Sequence, residues 1–249
     1  MNMKKIILFL FAGILSSGIY AQEAVDAIEA YSKEDYSAAA AAFEQELTKG
    51  VSAELYYNLG NAYYKMDKPA LAILNYERAL LLAPSNKDIR INLKLAQQKI
   101  VDKEEPVELF FLVEWFRDVQ NLQSSDAWAK SGIVFFILCI CFAFLFFFGR
   151  FSVLRKLGFY IGIVFLILAI FANIFAYNQK RILTLKEYAI ILAPSITVKS
   201  SPNPGGTDLF VIHEGLKVRI KNTSDNDWVE IESEGGKVGW ISVTGLERI

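Results

Sequence analysis

The 249-residue chain has a single histidine, His213, and two cysteines, Cys139 and Cys141, both inside one apolar run. Metal centres built from His and Cys ligands are thereby excluded outside that run. Two residues apart, the cysteines point to different faces of a helix and cannot easily pair. They read as small apolar residues. The lack of cysteine elsewhere suits an exported protein that does without disulfides. Also missing are a Gly-x-Ser-x-Gly elbow, a phosphate-binding loop and a dinucleotide fingerprint. His213 falls at a predicted turn and reads as a surface residue, and the Asp225 and Asp227 carboxylates sit in a turn where aspartate serves the backbone. No catalytic, cofactor-binding or metal-binding residue is assigned, and enzyme activity is not expected. A concentrated basic surface is lacking as well. Residues 22–105 carry 14 acidic and 10 basic side chains and residues 187–249 carry 9 and 6, so nucleic acid is not an expected partner.

Charge is absent from two long segments, Ser131–Gly149 and Leu157–Tyr177. A helix crossing a bilayer's hydrocarbon core needs about 20 mostly apolar residues. Both segments meet that length. The link between them, residues 150–156, is too short for a soluble domain, so an antiparallel transmembrane hairpin is expected. Residues 150–186 carry six basic side chains, and the next acid is Glu187, just beyond.

The chain opens Met-Asn-Met-Lys-Lys, followed by an apolar core at Ile6–Leu15 and by Ser16-Ser17-Gly18-Ile19-Tyr20-Ala21. These are the parts of a secretory signal peptide over 1–21, with cleavage expected after Ala21 although Ile19 is large for its position; the alternative is an uncleaved anchor, for which the ten-residue core is short. Export of residues 22 to about 130 puts Arg150, Arg155 and Lys156 in the cytoplasm, as the positive-inside rule expects. Lys180, Arg181 and Lys186 then lie outside, against that rule. The resulting expectation is a two-pass protein of the bacterial inner membrane with both soluble parts in the periplasm.

From Ala53 the chain places Tyr56, Leu59, Gly60, Tyr63, Ala72, Tyr76, Ala79 and Pro84 at the offsets of a tetratricopeptide repeat. Gly60 and Ala72 are small where two antiparallel helices cross, Tyr56, Leu59 and Tyr63 fill the crevice, and Pro84 closes the second helix. Upstream, Tyr36, Ala39 and Phe43 repeat Pro69, Ala72 and Tyr76 at an offset of 33. The expectation is a helical domain over 22–105, with a degenerate repeat at about 20–52, a clear repeat at 53–86 and a capping helix at 87–103. Ile89, Leu93, Ala96 and Ile100 would form the buried stripe of that cap. Stacked repeats present a concave face, here Glu54, Tyr57, Asn61 and Tyr64. Those residues either line a peptide groove or only pack on a neighbouring repeat or face water.

Glu105-Pro106 ends the helical domain, and 106–130 makes an aromatic-rich amphipathic stretch around Leu109–Phe116. It is either an interfacial helix or a last core helix. Trp128 reads as an interfacial anchor. Asn173, inside the second apolar segment, either bonds a partner helix or reaches the interface. After Lys186 the pattern alternates: Ile196 with Val198, Val218 with Ile220, Val229 with Ile231, and Val238 with Trp240. About five short strands imply a small closed barrel over 187–249. Trp228 faces away from Val229 and Ile231, so it either lines a groove or covers a barrel end.

Val198-Lys-Ser-Ser-Pro202, Gly215 ahead of Val218, Asp227-Trp228-Val229 and Gly239-Trp240-Ile241 resemble bacterial SH3-like domains. With the Tyr56-to-Pro84 repeat and Asp126-Ala-Trp128-Ala, the whole chain resembles BatE-type proteins of the aerotolerance (Bat) operon. That resemblance implies a multidomain membrane protein that joins all-α tetratricopeptide repeats, a transmembrane hairpin and an all-β SH3-like barrel. It further implies a scaffold with protein partners, among them von Willebrand A-domain membrane proteins and other tetratricopeptide proteins, and indirectly a MoxR-type ATPase. The SH3-like resemblance also allows peptidoglycan as a ligand, which would make the chain a cell-envelope anchor or sensor.

Overall fold

A computed structural model describes residues 27–104, 110–224 and 227–249. The expected signal peptide at 1–21, the Glu105-Pro106 break, Glu108, Leu109 and Asp225 lie outside the described residues. Those described form two compact units. The first holds 27–82, 86–104 and 187–249, so the helical region and the sheet belong together. The second is built on 110–186.

The helical part contains α1 (27–32), α2 (Tyr36–Lys49), α3 (Ala53–Lys65), α4 (Pro69–Leu82) and α5 (Lys87–Gln97). Their starts follow from the sequence. Asp35, Ser52 and Asn86 cap α2, α3 and α5 by accepting from backbone N–H groups of the first turn. Pro69 opens α4, where its missing N–H costs nothing. The turns α1–α2 and α3–α4 are built alike, 33 residues apart. Glu34 and Asp67 take left-handed φ of 63° and 55°. Asp35 N donates to Ala30 O and Lys68 N donates to Tyr63 O, both at 3.0 Å. Each closes its helix with the same paired carbonyl bonds.

The α3–α4 crossing is close at Gly60. A methyl group there would lie 2.7 Å from the Tyr76 ring, which is fully buried beneath it. Burial of a side chain such as Ile73, Leu74 or Tyr76 contributes about 1.5–3 kcal/mol. Every residue of α4 from Ala72 to Glu77 is buried. An all-round buried helix must be covered on every side, and the sheet supplies the outer cover.

That sheet has seven antiparallel strands, β1 (Tyr188–Ile191), β2 (Ser195–Lys199), β3 (Asp208–His213), β4 (Lys217–Thr223), β5 (Trp228–Ser233), β6 (Val238–Ser242) and β7 (Leu246–Arg248). Their order is β3-β2-β6-β5-β4-β1-β7. It curls around one core, to which Ile212 of β3, Val198, Ile241, Ile231, Val218 and Ile191 contribute and against which Leu246 of β7 packs. The end strands β3 and β7 do not pair with each other, so the expected closed five-stranded barrel is an open seven-stranded sheet. The two extra strands, β1 and β7, pair with each other, and β1 also pairs with β4. The reading of β6 also needs correction. Gly239 and Ile241 face the core, while Val238 and Trp240 face outward.

Charged and apolar contacts join the sheet to the helices. Lys217 Nζ donates to Glu77 Oε2 at 2.7 Å, and an Arg78 N–H donates to Glu247 Oε1 at 2.6 Å. Burial works against the Lys217 ammonium, but Glu77, aided by Glu234 and Tyr188, outweighs it and the group titrates above the ordinary lysine range. Gly215, at φ 86°, brings bare backbone against Ile100 and Ile73. The capping helix stops at Gln97, short of the expected Lys103, so Ile100 leaves the stripe and packs on Gly215 instead. His213 is no simple surface residue either. Its N–H donates to Asp102 Oδ2 at 2.5 Å, and its Nδ1 lies 3.0 Å from Asp102 Oδ1.

The second unit contains α6 (Phe111–Gln120), α7 (Ser125–Phe148) and α8 (Ser152–Leu185). Both α7 and α8 are long and apolar enough to cross a membrane. At 34 residues α8 measures about 51 Å, more than the roughly 30 Å hydrocarbon core of a bilayer. The turn between them is only 149–151, so Arg155 and Lys156 lie on α8 rather than in a seven-residue link. The helices run antiparallel and close together. A methyl at Gly158 would lie 2.8 Å from the backbone at Phe142 and Phe146. Small residues allow the two backbones to approach this closely. Asn173 bonds its own helix, Nδ2 to Ala169 O at 2.8 Å.

The amphipathic stretch forms α6, which belongs to the unit of α7 and α8 and packs on them. Phe116 and Val119 lie against Trp128, Ala172 and Phe175, while Phe111, Leu112, Val113 and Trp115 stay exposed. Trp128, expected at an interface, is buried there, its Nε1–H donating to Gln120 O at 2.7 Å. Gln179 Nε2 donates to Gln120 O and Gln123 O at 2.8 and 2.9 Å, fixing α8 to the α6–α7 turn.

Candidate functional site

The inner face of the helical region holds a concavity of about 230 Å³, lined by Tyr31, Asn61, Tyr64, Lys65, Asn92 and Leu95. Residues at helical spacing on α3 provide its floor, and α1 and α5 provide the sides. A hydrogen-bond network fixes that floor. Tyr76 O–H donates to Asn61 Oδ1 at 2.8 Å, and Asn92 Nδ2 donates to Asn61 Oδ1 at 2.9 Å and to Tyr57 Oη at 3.0 Å. The Tyr57 and Tyr76 rings lie 6.0 Å apart, tilted. Burial, helped by neighbouring Tyr57 and Tyr31, pushes the Tyr76 hydroxyl far above its ordinary range, so it stays a neutral donor at any working pH.

At the rim, Lys99 Nζ sits 4.4 Å from the centre of the Tyr64 ring and 2.7 Å from Asp67 Oδ1. The hydrogen bond to Asp67 shifts the exposed Lys99 ammonium upward despite partial desolvation, so it carries its charge at neutral pH. Tyr64 thus offers a ring already held in place, at low cost in side-chain entropy.

Residues 53–86 match the family model of the tetratricopeptide repeat. This repeat is a protein-interaction module. The match covers α3 and α4, and with them Asn61 and Tyr64. No curated protein matches the chain.

The four concave-face residues expected from sequence therefore divide. Asn61 and Tyr64 line the concavity, Tyr57 lies below them in the hydrogen-bond network, and Glu54 is exposed at the start of α3. Missed were Tyr31, Lys65, Asn92 and Leu95. Asn92 was within reach of a sequence reading, since it lies three residues from Ile89, beside the buried stripe of α5. Leu95, an exposed leucine one position before buried Ala96, carried a weaker signal.

Trp228 lies elsewhere, half-buried on the outer face of β5, where its neighbours Val229 and Ile231 point into the core. Trp228 pairs with Ser242 and Glu230 with Trp240, so the two half-buried tryptophans are diagonal neighbours on adjacent strands. Such neighbours are about 7–8 Å apart and aromatic side chains reach across that distance.

Proposed function

We propose that the chain is a membrane-anchored adaptor whose concave helical face holds an extended segment of a protein partner. The observation that carries this is the coincidence of the matched repeat with an open concavity, whose Tyr64 ring and Asn61 amide are fixed in advance by internal contacts. A preorganised aromatic and amide surface loses little entropy on binding. In this reading α7 and α8 cross the bilayer as a hairpin, because away from the face each turns to the other many of their large apolar side chains are exposed. The unit of helices and sheet then lies on one side of the membrane, the periplasmic side if 1–21 is a signal peptide. The curled sheet is an SH3-like module, and a Bat-type membrane complex with von Willebrand A-domain partners is the proposed setting.

The test compares partner recovery from cross-linked membranes for wild type and Tyr64→Ala/Leu95→Ser. Neither side chain belongs to the buried network, so the thermal transition should hold. Loss of the partner with an unchanged transition supports the concave face. Equal recovery contradicts it.

A second reading is favoured by the tryptophan pair. Trp228 and Trp240 are diagonal neighbours on the outer face of the sheet, a placement suited to stacking on sugar rings and hence to peptidoglycan. Pelleting of the full chain with purified cell wall, lost in Trp228→Ala, supports this reading. Pelleting that is absent, or unchanged in the variant, rejects it.

A further inference from the structure

We propose that the turn end of the hairpin is a binding site for the phosphate headgroup of an anionic phospholipid. The proposal rests on the reading of α7 and α8 as a bilayer hairpin. A concavity of about 240 Å³ opens there, lined by Phe146 of α7 and by Ser152, Arg155, Lys156, Phe159 and Tyr160 of α8. Two cations and two hydroxyls thus converge beside three aromatic rings. Arg155 lies over the Phe146 ring, its guanidinium carbon 5.8 Å from the ring centre. A guanidinium beside a ring keeps its charge and its N–H donors, which can grip a phosphate in a bidentate manner.

The cations have no counterion within the hairpin. No Asp or Glu occurs from residue 127 to residue 186. The nearest acid on α7, Asp126, is 20 residues before Phe146, about 30 Å along the helix. Around the concavity Phe147, Phe148, Phe151, Val153 and Leu157 are exposed. Cations without carboxylates next to bare apolar surface suit a ligand with an anionic head and apolar chains. An anionic lipid has both, whereas free phosphate has only the first. Two cations near a lipid surface should strengthen binding of the anionic lipid by roughly ten- to thirty-fold.

The test uses the full chain in zwitterionic detergent, titrated with short-chain phosphatidylglycerol, short-chain phosphatidylcholine or inorganic phosphate. Native mass spectrometry and thermal shift report binding, and flotation with phosphatidylcholine vesicles reports insertion. Wild type should prefer phosphatidylglycerol by about ten- to thirty-fold. Arg155→Gln/Lys156→Gln should lose the preference yet still float, and Arg150→Gln, whose side chain does not line the concavity, should keep most of it. No preference in a wild type that floats, or a preference surviving in the double variant, overturns the site and leaves the bilayer hairpin standing. An equal loss in Arg150→Gln reduces the effect to diffuse charge and also overturns it. Inorganic phosphate that binds alone with the same sensitivity to the double variant assigns the concavity to a free anion, against the proposal. Failure to float removes the hairpin reading and this site with it.

Discussion

Helices α4 and α7 are both apolar, yet they solve opposite problems. Six consecutive residues of α4 are buried by protein, and its two buried polar side chains within that run are partnered. Asn75 Nδ2 donates to Leu71 O, and Glu77 accepts from Lys217. Along α7 only Ser125, Trp128 and Gly132 are buried, all in its first third, and Phe147 and Phe148 are 72% and 78% exposed. The difference lies in the cover. Where protein provides it, polar groups can be carried inside because specific partners can be built for them. Along 131–148 of α7, where the only protein cover is the face against α8, the sequence carries no charge at all.

Substitutions can break this contrast, and the largest effect belongs to the protein-covered side. Tyr76→Ala should destabilise the first unit by about 3–5 kcal/mol, through a cavity beneath Gly60 and the loss of a donor to Asn61. Pulse proteolysis across a denaturant series measures it. Lys217→Met should cost about 1–3 kcal/mol, since it strands the Glu77 carboxylate, 9% exposed, without its cation. Glu77→Met/Lys217→Met should recover to within about 1 kcal/mol of wild type. A double variant no better than the single one would mean that the pair is not coupled.

Glu104 sharpens the same joint through pH. Burial works against its charge, but the Gly235 N–H at 2.9 Å and Lys237 Nζ at 3.0 Å outweigh this and hold the carboxyl below its usual value of 4.5. A depressed carboxyl contributes its stability above the unfolded value and loses it as pH falls through the folded one. Wild type should therefore lose this increment below about pH 4.5. Glu104→Gln, less stable at pH 7, should show a shallower decline over that range in thermal scans. Parallel curves would contradict the linkage. The smallest effect belongs to the uncovered side. Ile137→Ala, at an exposed position on α7, should leave the hairpin's unfolding in detergent within about 0.5 kcal/mol.

The same contrast governs how much could be read from the sequence. The α3–α4 repeat was legible because its contacts are local: Gly60, Ala72 and Tyr76 meet within one pair of helices. The apolar segments were legible because their character is carried by nearly every residue in turn, with no charge over 131–149 or 157–177. What escaped reading depends on residues far apart in the chain. Ile100 continues the α5 stripe by spacing, but Gly215 gives it a better neighbour outside the helix. The all-round burial of α4 required a sheet more than a hundred residues away. In β6 alternation alone could not distinguish Val238 and Trp240 from Gly239 and Ile241, since glycine carries no hydrophobic signal even when it faces the core. The strands β1 and β7 are four and three residues long, too short for a period to register. Within the concavity, Asn61 and Tyr64 followed from the repeat, whereas Tyr31, Asn92 and Leu95 come from flanking helices outside the clear repeat.

The most direct test places a photoreactive phenylalanine at Tyr64 and, separately, at Phe136, which is exposed on α7, and irradiates native membranes. Tyr64 should capture a protein and lose that adduct on addition of excess partner segment, while Phe136 should capture lipid. No protein adduct at Tyr64 would contradict the adaptor, and a water or soluble-protein adduct at Phe136 would contradict the membrane hairpin.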